Sequence, residues 1–335
     1  MSVIQSDVKS ILSKVDLSPL EGKSVVVAGA SGLIGTYITA ALSTWGGCRH
    51  LFTTSRSRIS SSSAVYPYLS GAIHSEIELA AQNRFALPPC DFAVFAAGYG
   101  QPAKFTSNGM NTLLLNTIGV YNTLTSLNEG GRALYLSSSE IYSGNTKPPF
   151  RETDVGMTTP QHPRGCYIEA KRCGEAICSA YNSSYTRNQA VVARVALAYG
   201  PGTAKDDDRV LNQFIKSAIT TGKITLRDNG QAIRTYSYVA DTVEVLLNAL
   251  LRGSSDVYNV GGKSKTTIAN LARKIGELTG AQVDVPSTGS SGESPSVVNI
   301  DTGKIEHEFC KKDWVSLDEG LLRTIDYQRK LYAMV

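Results

Sequence analysis

Tyr167 and Lys171 stand four residues apart in the segment Tyr167-Ile-Glu-Ala-Lys171. On a helix this spacing puts both on one face. An ammonium beside a phenol favours the phenolate and lowers the phenol's pKa. A phenol tuned in this way can take the proton of an alcohol while a hydride leaves its carbon. Alone, the pair is a weak signal that arises by chance in many helices. The upstream segment Tyr135-Leu-Ser-Ser-Ser-Glu140-Ile-Tyr142 strengthens it, because an apolar run ends there in hydroxyls and a carboxylate. Hydroxyls at such a strand end can bind the substrate alcohol and stabilise the developing carbonyl. The competing readings are that Glu140 caps a turn and that Ser137 and Ser139 only satisfy backbone groups.

A second constellation, Gly29-Ala-Ser-Gly32-Leu-Ile-Gly35, lies between an apolar strand and an apolar helix. In that context the first glycine permits a tight turn and the second lets the backbone approach a pyrophosphate. The third allows the helix to pack closely on the strand, and the helix N-terminus faces the anion. NAD-binding versions carry an acid about 20 residues further on, against the ribose hydroxyls. No Asp or Glu occurs here between Gly35 and Glu76; the position falls at Thr53–Ser55, followed by Arg56 and Arg58. A hydroxyl at Ser55 with a guanidinium at Arg56 suits a 2′-phosphate. The expected cofactor is therefore NAD(P), with NADP modestly favoured. The alternative is that Arg56 is a solvated surface charge.

These residues need a scaffold, and the hydrophobic pattern supplies one. Lys23–Ala28, Leu51–Thr54, Asp91–Ala97, Arg132–Ser137, Ala190–Ala196 and Val257–Val260 read as strands. Helices are expected after Gly32 through Leu42, over Met110–Leu127, Cys166–Tyr185, Val210–Thr221, Asp241–Leu251 and Thr266–Thr279, and over Ser316–Leu331. Residues 2–15 form an N-terminal helical extension by their 3.6-residue period. Ile224–Arg227 reads as a short strand and Pro286–Pro295 as a loop. Strands alternating with helices imply an α/β fold, a Rossmann-type doubly wound parallel sheet, with a smaller C-terminal substrate domain. The expected division is 20–198 plus roughly 235–262 for the dinucleotide, and roughly 199–234 with 263–335 for the substrate.

The chain has 335 residues, 42% hydrophobic and 19% charged, with a net charge of +4. That is ample for a buried core and does not call for nucleic acid. No run of 18 apolar residues suggests a membrane span. Met1 to Asp16 mixes charges without the apolar core and cleavage site of a secretory signal, so a cytoplasmic location with reduced thiols is expected. Cys166, Cys173 and Cys178 share one expected helix without a histidine at metal spacing. They read as small buried hydrophobes, and no metal is expected. His50, His74, His162 and His307 are scattered; His162 reads as surface loop rather than pocket lining.

Taken in order and spacing, the glycine turn, the SSSEIY strand end and YIEAK resemble the extended short-chain dehydrogenase/reductase family of NAD-dependent epimerases and dehydratases. Gln101-Pro-Ala-Lys-Phe105, Asn116-Thr-Ile-Gly119, Pro163-Arg-Gly-Cys-Tyr167, Asp207-Asp-Arg-Val210 and Arg234-Thr-Tyr-Ser-Tyr-Val-Ala-Asp241 make it most like UDP-glucuronate decarboxylases. The resemblance covers nearly the whole chain after about residue 20. It implies Tyr167 as base, Lys171 as its partner, Ser138 as the catalytic hydroxyl and Glu140 as a catalytic carboxylate. It also implies cofactor contacts from Gly29, Ser31, Gly32, Leu33, Ile34, Gly35, Ala97, Asn116, Tyr167 and Lys171. Tyr99, Gln101, Arg209 and Arg234 fall on the substrate side. The pattern is broken at Leu197, where relatives carry an asparagine against the diphosphate, and at Ser296–Asp301, where an arginine is absent.

The resemblance implies a nucleotide-sugar substrate oxidised at C4, with decarboxylation of a nucleotide-linked uronic acid as the lead reaction. Dehydration, epimerisation and NADPH-dependent reduction of a 4-keto sugar are the alternatives. A non-catalytic NAD(P)-binding sensor is the reading from another class. A homodimer through Met110–Leu127 and Cys166–Tyr185 is also implied.

Overall fold

The computed structural model describes residues 1–81, 87–287 and 297–333. Its strands are β1 (Ser24–Ala28), β2 (His50–Ser55), β3 (Ile73–Glu76), β4 (Cys90–Phe95), β5 (Leu127–Ser138), β6 (Gln189–Val195), β7 (Ala198–Tyr199), β8 (Lys223–Thr225), β9 (Ile233–Tyr238), β10 (Val257–Val260), β11 (Ser264–Thr267), β12 (Gln282–Asp284) and β13 (Val297–Val298). The helices are α1 (Val3–Leu12), α2 (Leu33–Trp45), α3 (Pro102–Ser107), α4 (Gly109–Leu114), α5 (Val120–Leu124), α6 (Gly165–Ser184), α7 (Val210–Thr221), α8 (Val239–Arg252), α9 (Ile268–Thr279), α10 (Gly303–Glu308) and α11 (Leu317–Ala333).

Seven strands form one sheet in the order β10-β6-β5-β4-β1-β2-β3, with every pair parallel. The expected α/β, Rossmann-type doubly wound sheet is therefore present. Ser24–Ala28 is buried at every position, as expected of a central strand covered on both faces. From β1 the chain steps to β2 and β3 on one side, then returns to β4 on the other. The reversal between β1 and β4 opens the crevice at the strands' carboxyl ends where such sheets bind ligands. Strands β11, β9 and β13, with β7 beside β9, make a second sheet, and β8 pairs with β12.

Several elements differ from the sequence expectation. β3 was not anticipated; its residues are half-buried or exposed, so they carry no apolar run. β9 was missed because arginine, threonine and tyrosine dominate it. The helix expected over Met110–Leu127 is present as one continuous run of α4, a π-helical turn over Leu115–Gly119, and α5, ending at Leu124. Leu127 belongs instead to β5. The helix expected from Thr266 starts at Ile268, with Thr267 as its cap accepting a hydrogen bond from Asn270 N. The Pro286–Pro295 loop falls mostly on residues outside those described. Of the cysteines on α6 only Cys178 is buried; Cys166 is half-buried and Cys173 exposed. The polar outer face of α6 reaches solvent, so the expectation of three buried thiols fails for Cys173.

Two buried polar clusters join distant parts of the chain. Asp7 on α1 is fully buried and accepts from Tyr37 Oη at 2.8 Å, Tyr238 Oη at 2.7 Å and Arg323 Nη1 at 2.6 Å. Lys311 is likewise buried, donating to Asp241 Oδ1 and Glu244 Oε2, both at 2.7 Å, with its ammonium 5.0 Å from the Trp314 ring centroid.

Candidate active site

The glycine turn is shaped as its spacing predicts. Gly29 has φ +90°, and a Cβ there would meet Ala97 N at 2.5 Å, so β1 and β4 touch at the head of the crevice. A Cβ on Gly35 would meet Gly29 O at 2.1 Å, so this position is fixed by helix-to-strand packing. Gly32 is different: only Gly29 O lies nearby, at 3.7 Å. The fold itself has room for a side chain at Gly32, and the open space is the cradle a pyrophosphate needs. Ser31 and Gly32 are exposed, while Leu33 and Ile34 are half-buried at the start of α2. Gly32 caps α2 without a side-chain bond, leaving the helix N-terminus for an anion. These residues fit an NAD(P) dinucleotide. Gly32→Ala is expected to leave the melting temperature near wild type while weakening dinucleotide binding. Gly35→Ala should lower both. Equal melting temperatures for the two variants would contradict this division of roles.

At the adenosine end, Ser55 Oγ donates to Ser57 O at 2.7 Å and lies 3.1 Å from His74 Nε2. Thr53 Oγ1 lies 3.0 Å from His74 Nδ1. With the Ser55 proton given to Ser57, Nε2 must be the donor to Ser55 Oγ. Burial pushes the His74 pKa down. Arg56 donates to Tyr99 Oη at 2.7 Å and stacks over that ring. The structure thus places Tyr99 with Arg56, across the crevice from β2, and commits the Ser55 hydroxyl to its own loop.

The catalytic candidates converge at the carboxyl ends of β5 and β6. α6 approaches β5 closely, because a Cβ at Gly174 would meet Tyr135 Oη at 2.3 Å. That approach buries Lys171, whose Nζ donates to Leu136 O at 2.7 Å. The ammonium lies 5.8 Å from the Tyr167 ring centroid. Burial pushes Lys171 down to about 7, opposed by Glu175. Burial pushes the Tyr167 phenol up to about 12; Ser138 lowers it and Glu140 raises it. In the chain by itself, then, Tyr167 is held above its ordinary pKa, contrary to the lowered phenol expected from the YxxxK spacing. Desolvation outweighs an ammonium that is turned to a backbone carbonyl and is itself near neutrality.

Ser138 ends β5, and its hydroxyl accepts from Glu140 N at 3.2 Å, so it, rather than Glu140, caps the short turn over Ser139–Tyr142. Ser137 donates to Glu175 Oε1 at 2.5 Å, a side-chain contact rather than the backbone one of the competing reading. Glu175 in turn pairs with Arg194. Asn116 sits in the π-helical turn, fully enclosed, donating to Thr112 O and accepting from Tyr135 Oη at 2.9 Å. Such turns recur where a helix must present a functional side chain.

Glu140 is directed by a residue to which the sequence reading gave no role. Arg164 Nη2 donates to Glu140 Oε1 at 2.7 Å, while Oε2 is buried without a hydrogen-bond partner among the described residues. Burial raises the Glu140 pKa, and Arg164, Arg234 and His162 lower it. His162 is therefore close to the site, and it also lines a cleft of about 540 Å³ with Ser143–Thr146 and Phe150. It stands in the loop before α6, as expected, and that cleft includes none of the catalytic candidates. Arg234 Nη1 bonds its neighbour Ile233 O at 2.8 Å. Arg209 is clamped by Asp207 at 2.7 to 3.0 Å and still favours the Tyr167 phenolate. Gln101 Oε1 accepts from Asp208 N at 3.4 Å, which joins it to the Arg209 loop. The signal for Arg164 was its position three residues before Tyr167, just ahead of the helix.

The arrangement can hold a dinucleotide in the crevice and present a phenol, a hydroxyl and a carboxyl to an alcohol beside it. Over 319 residues the chain is 29% identical to "UDP-glucuronic acid decarboxylase 1" of Xenopus tropicalis, covering 94% of this chain and 74% of that protein. It is 29% identical to "UDP-glucuronic acid decarboxylase 6" of Arabidopsis thaliana over 232 residues, 69% of this chain and 67% of that protein. The fold matches the UDP-glucose 4-epimerase of Thermotoga maritima solved with UDP-glucose, with a TM-score of 0.77 at 22% identity, covering 92% of this chain and 99% of that one. It also matches MoeE5 solved with UDP-glucose and NAD, with a TM-score of 0.77 at 19% identity over 92% and 99% of the two chains. Residues 25–261 match the model of the NAD dependent epimerase/dehydratase family, and the chain belongs to that family.

Proposed function

We propose that this chain is an NAD(P)-dependent nucleotide-sugar enzyme whose reaction is decarboxylation of a nucleotide-linked uronic acid. The observation that carries the reading is the grouping of Arg234 and Arg164 around Glu140, beside Tyr167. Arg234 is a half-buried cation whose one side-chain hydrogen bond among the described residues goes to a neighbouring carbonyl. A substrate carboxylate gives it the charge-assisted partner it lacks. The relatives named as UDP-glucuronic acid decarboxylases support the same reaction.

A bound NAD(P) supplies the acceptor and later the donor of the hydride at C4. Tyr167 takes the proton of the 4-hydroxyl, with Ser138 holding that oxygen. The new C4 carbonyl stands β to the C6 carboxylate, so the C5–C6 bond breaks, carbon dioxide leaves, and the electron pair moves onto the C4 oxygen. Glu140, with one oxygen unpartnered, serves as the proton-transferring group at C5. Tyr167 returns its proton to the C4 oxygen as C4 is reduced. The test is incubation with UDP-glucuronate and a panel of neutral nucleotide sugars, with product masses measured. Release of carbon dioxide with a UDP-pentose supports the reading. Water loss or epimerisation of a neutral sugar, with the uronate untouched, overturns it.

Cofactor choice falls to Arg56. It is exposed and has no carboxylate partner among the described residues, only the neutral Tyr99 hydroxyl. A partly exposed charge-assisted contact to a 2′-phosphate contributes about 1.5–3 kcal/mol, roughly a 10- to 150-fold preference for NADP. Calorimetric titration with both dinucleotides should show that preference, and Arg56→Ala should erase it. NAD binding as tight as NADP, unchanged in the variant, makes the chain an NAD enzyme.

The chain pairs into a homodimer through the outer faces of α4, α5 and α6. Met110 and Tyr121 are large and exposed there. Light scattering should report a dimer at micromolar concentration; a monomer counts against these faces as an interface.

A further inference from the structure

Glu140 cannot serve the sugar unless its carboxyl is aimed, and its own backbone does not aim it. It lies on a single short turn, and its amide is already bonded to Ser138. The side chain is oriented from outside, by Arg164. The Arg164 guanidinium takes Oε1 at 2.7 Å and rests over Phe105, 5.5 Å from the ring centroid. Phe105 is buried and stacks on Tyr167, with centroids 4.4 Å apart and planes 15° from parallel. Cys166 Sγ, beside Tyr167 on the same helix, reaches Phe105 O at 3.6 Å.

We infer that Arg164 is a positioning residue. Through Oε1 and Phe105 it locks Glu140 and Tyr167 into one unit and leaves Glu140 Oε2 as the reactive oxygen. This rests on the proposed sugar chemistry for its purpose, but the geometry is independent of which sugar binds. Four groups face Glu140: Arg164 and Tyr167 from the start of α6, His162 from the loop before it, and Arg234 from β9. Of these only Arg164 makes a hydrogen bond to the carboxylate among the described residues. Removing its charge should raise proton affinity at Glu140, because an opposite charge at contact distance lowers a carboxyl pKa by roughly 1–3 units. Losing the anchor should also misplace the free oxygen, and small misplacements of a reacting group cost up to about 100-fold in rate.

The experiment compares wild type, Arg164→Gln and Arg164→Lys. Carboxyl resonances of isotope-labelled glutamate, assigned to Glu140 by difference against Glu140→Gln, are titrated by NMR in the holoenzyme with no sugar present. The expected result is an upward shift of the Glu140 midpoint by roughly one unit or more in Arg164→Gln, and a midpoint near wild type in Arg164→Lys. With substrate, kcat should fall roughly 10- to 100-fold in Arg164→Gln with little change in KM. The limb of the pH profile that Glu140→Gln removes should move to higher pH. An unmoved midpoint in folded Arg164→Gln overturns the proposal. If Arg164→Gln does not fold, Arg164→Lys decides: a kcat and midpoint both at wild-type values, with the fork replaced by a point charge, show that orientation by the guanidinium is not required, which also overturns it. If no nucleotide sugar is turned over by wild type, the reaction reading fails and the titration still judges Arg164.

Discussion

Tyr167→Phe is expected to lower turnover by at least about 100-fold while dinucleotide binding stays at wild-type strength. The substitution removes the hydroxyl and little else. The ring keeps its stack on Phe105, and the glycine turn that holds the pyrophosphate is on a different element. Lys171 keeps its bond to Leu136 O, so the wall of the site is undisturbed. The loss should fall on kcat, since the phenol acts while the proton moves rather than when the sugar docks. Product formation and the affinities for NAD and NADP measured on the same preparation make the test. Near wild-type turnover would remove Tyr167 from the role of base, and lost dinucleotide binding would make it a structural residue instead.

Lys311→Met is expected to destabilise the fold by about 3–5 kcal/mol, because it leaves two buried carboxylates without their cation. Asp241 Oδ2 also accepts from Val315 N at 2.8 Å, so the ion cluster fixes the segment leading into α11. Lys14, 3.6 Å from Glu244, cannot make up the difference, since it is partly exposed and reaches one carboxylate only. Urea unfolding at neutral pH should show a lower midpoint with an unchanged slope. Adding Asp241→Asn and Glu244→Gln should recover part of the loss, because a buried cluster is most costly when broken on one side. A Lys311→Met midpoint equal to wild type would show that the buried charges are not what holds this segment.

The two predictions rest on residues of very different visibility in the sequence. Tyr167, Lys171 and Ser138 are legible because their chemistry lies in local spacing: four residues on a helix, or a strand end. Gly29, Gly32 and Gly35 are legible for the same reason, and the alternation of apolar runs gives the parallel sheet. Lys311 carries no local mark, since it sits in a loop and its partners Asp241 and Glu244 lie on α8, far back in the chain. Arg164 was given no role in the sequence reading, and only the folded chain shows its guanidinium against Glu140. β3 was invisible because an exposed edge strand carries no apolar run. The π turn inside the expected Met110–Leu127 helix was hidden, because its Asn116 meets Tyr135 from a neighbouring strand only in the folded chain. The expected sign of the phenol shift failed because spacing reports proximity and says nothing of desolvation.

The Asp7 cluster sets a limit on how this protein can be cut. The residues that match the family model begin at 25 and end at 261, so Asp7 and Arg323 both lie outside them while Tyr37 and Tyr238 lie inside. Tyr37 is one turn beyond Leu33 of the glycine helix, and Tyr238 is four residues beyond Arg234. A chain trimmed to the matched segment would lose the acceptor of both phenol hydroxyls and the buried apolar residues Ile4, Val8, Ile11, Leu321 and Ile325 that pack beside them on α1 and α11. The part that carries the recognisable motifs is thus not a module that can be excised or grafted. Its two halves are riveted by a carboxylate from the N-terminal helix and a guanidinium from the last helix, and any chimera of this enzyme has to carry both.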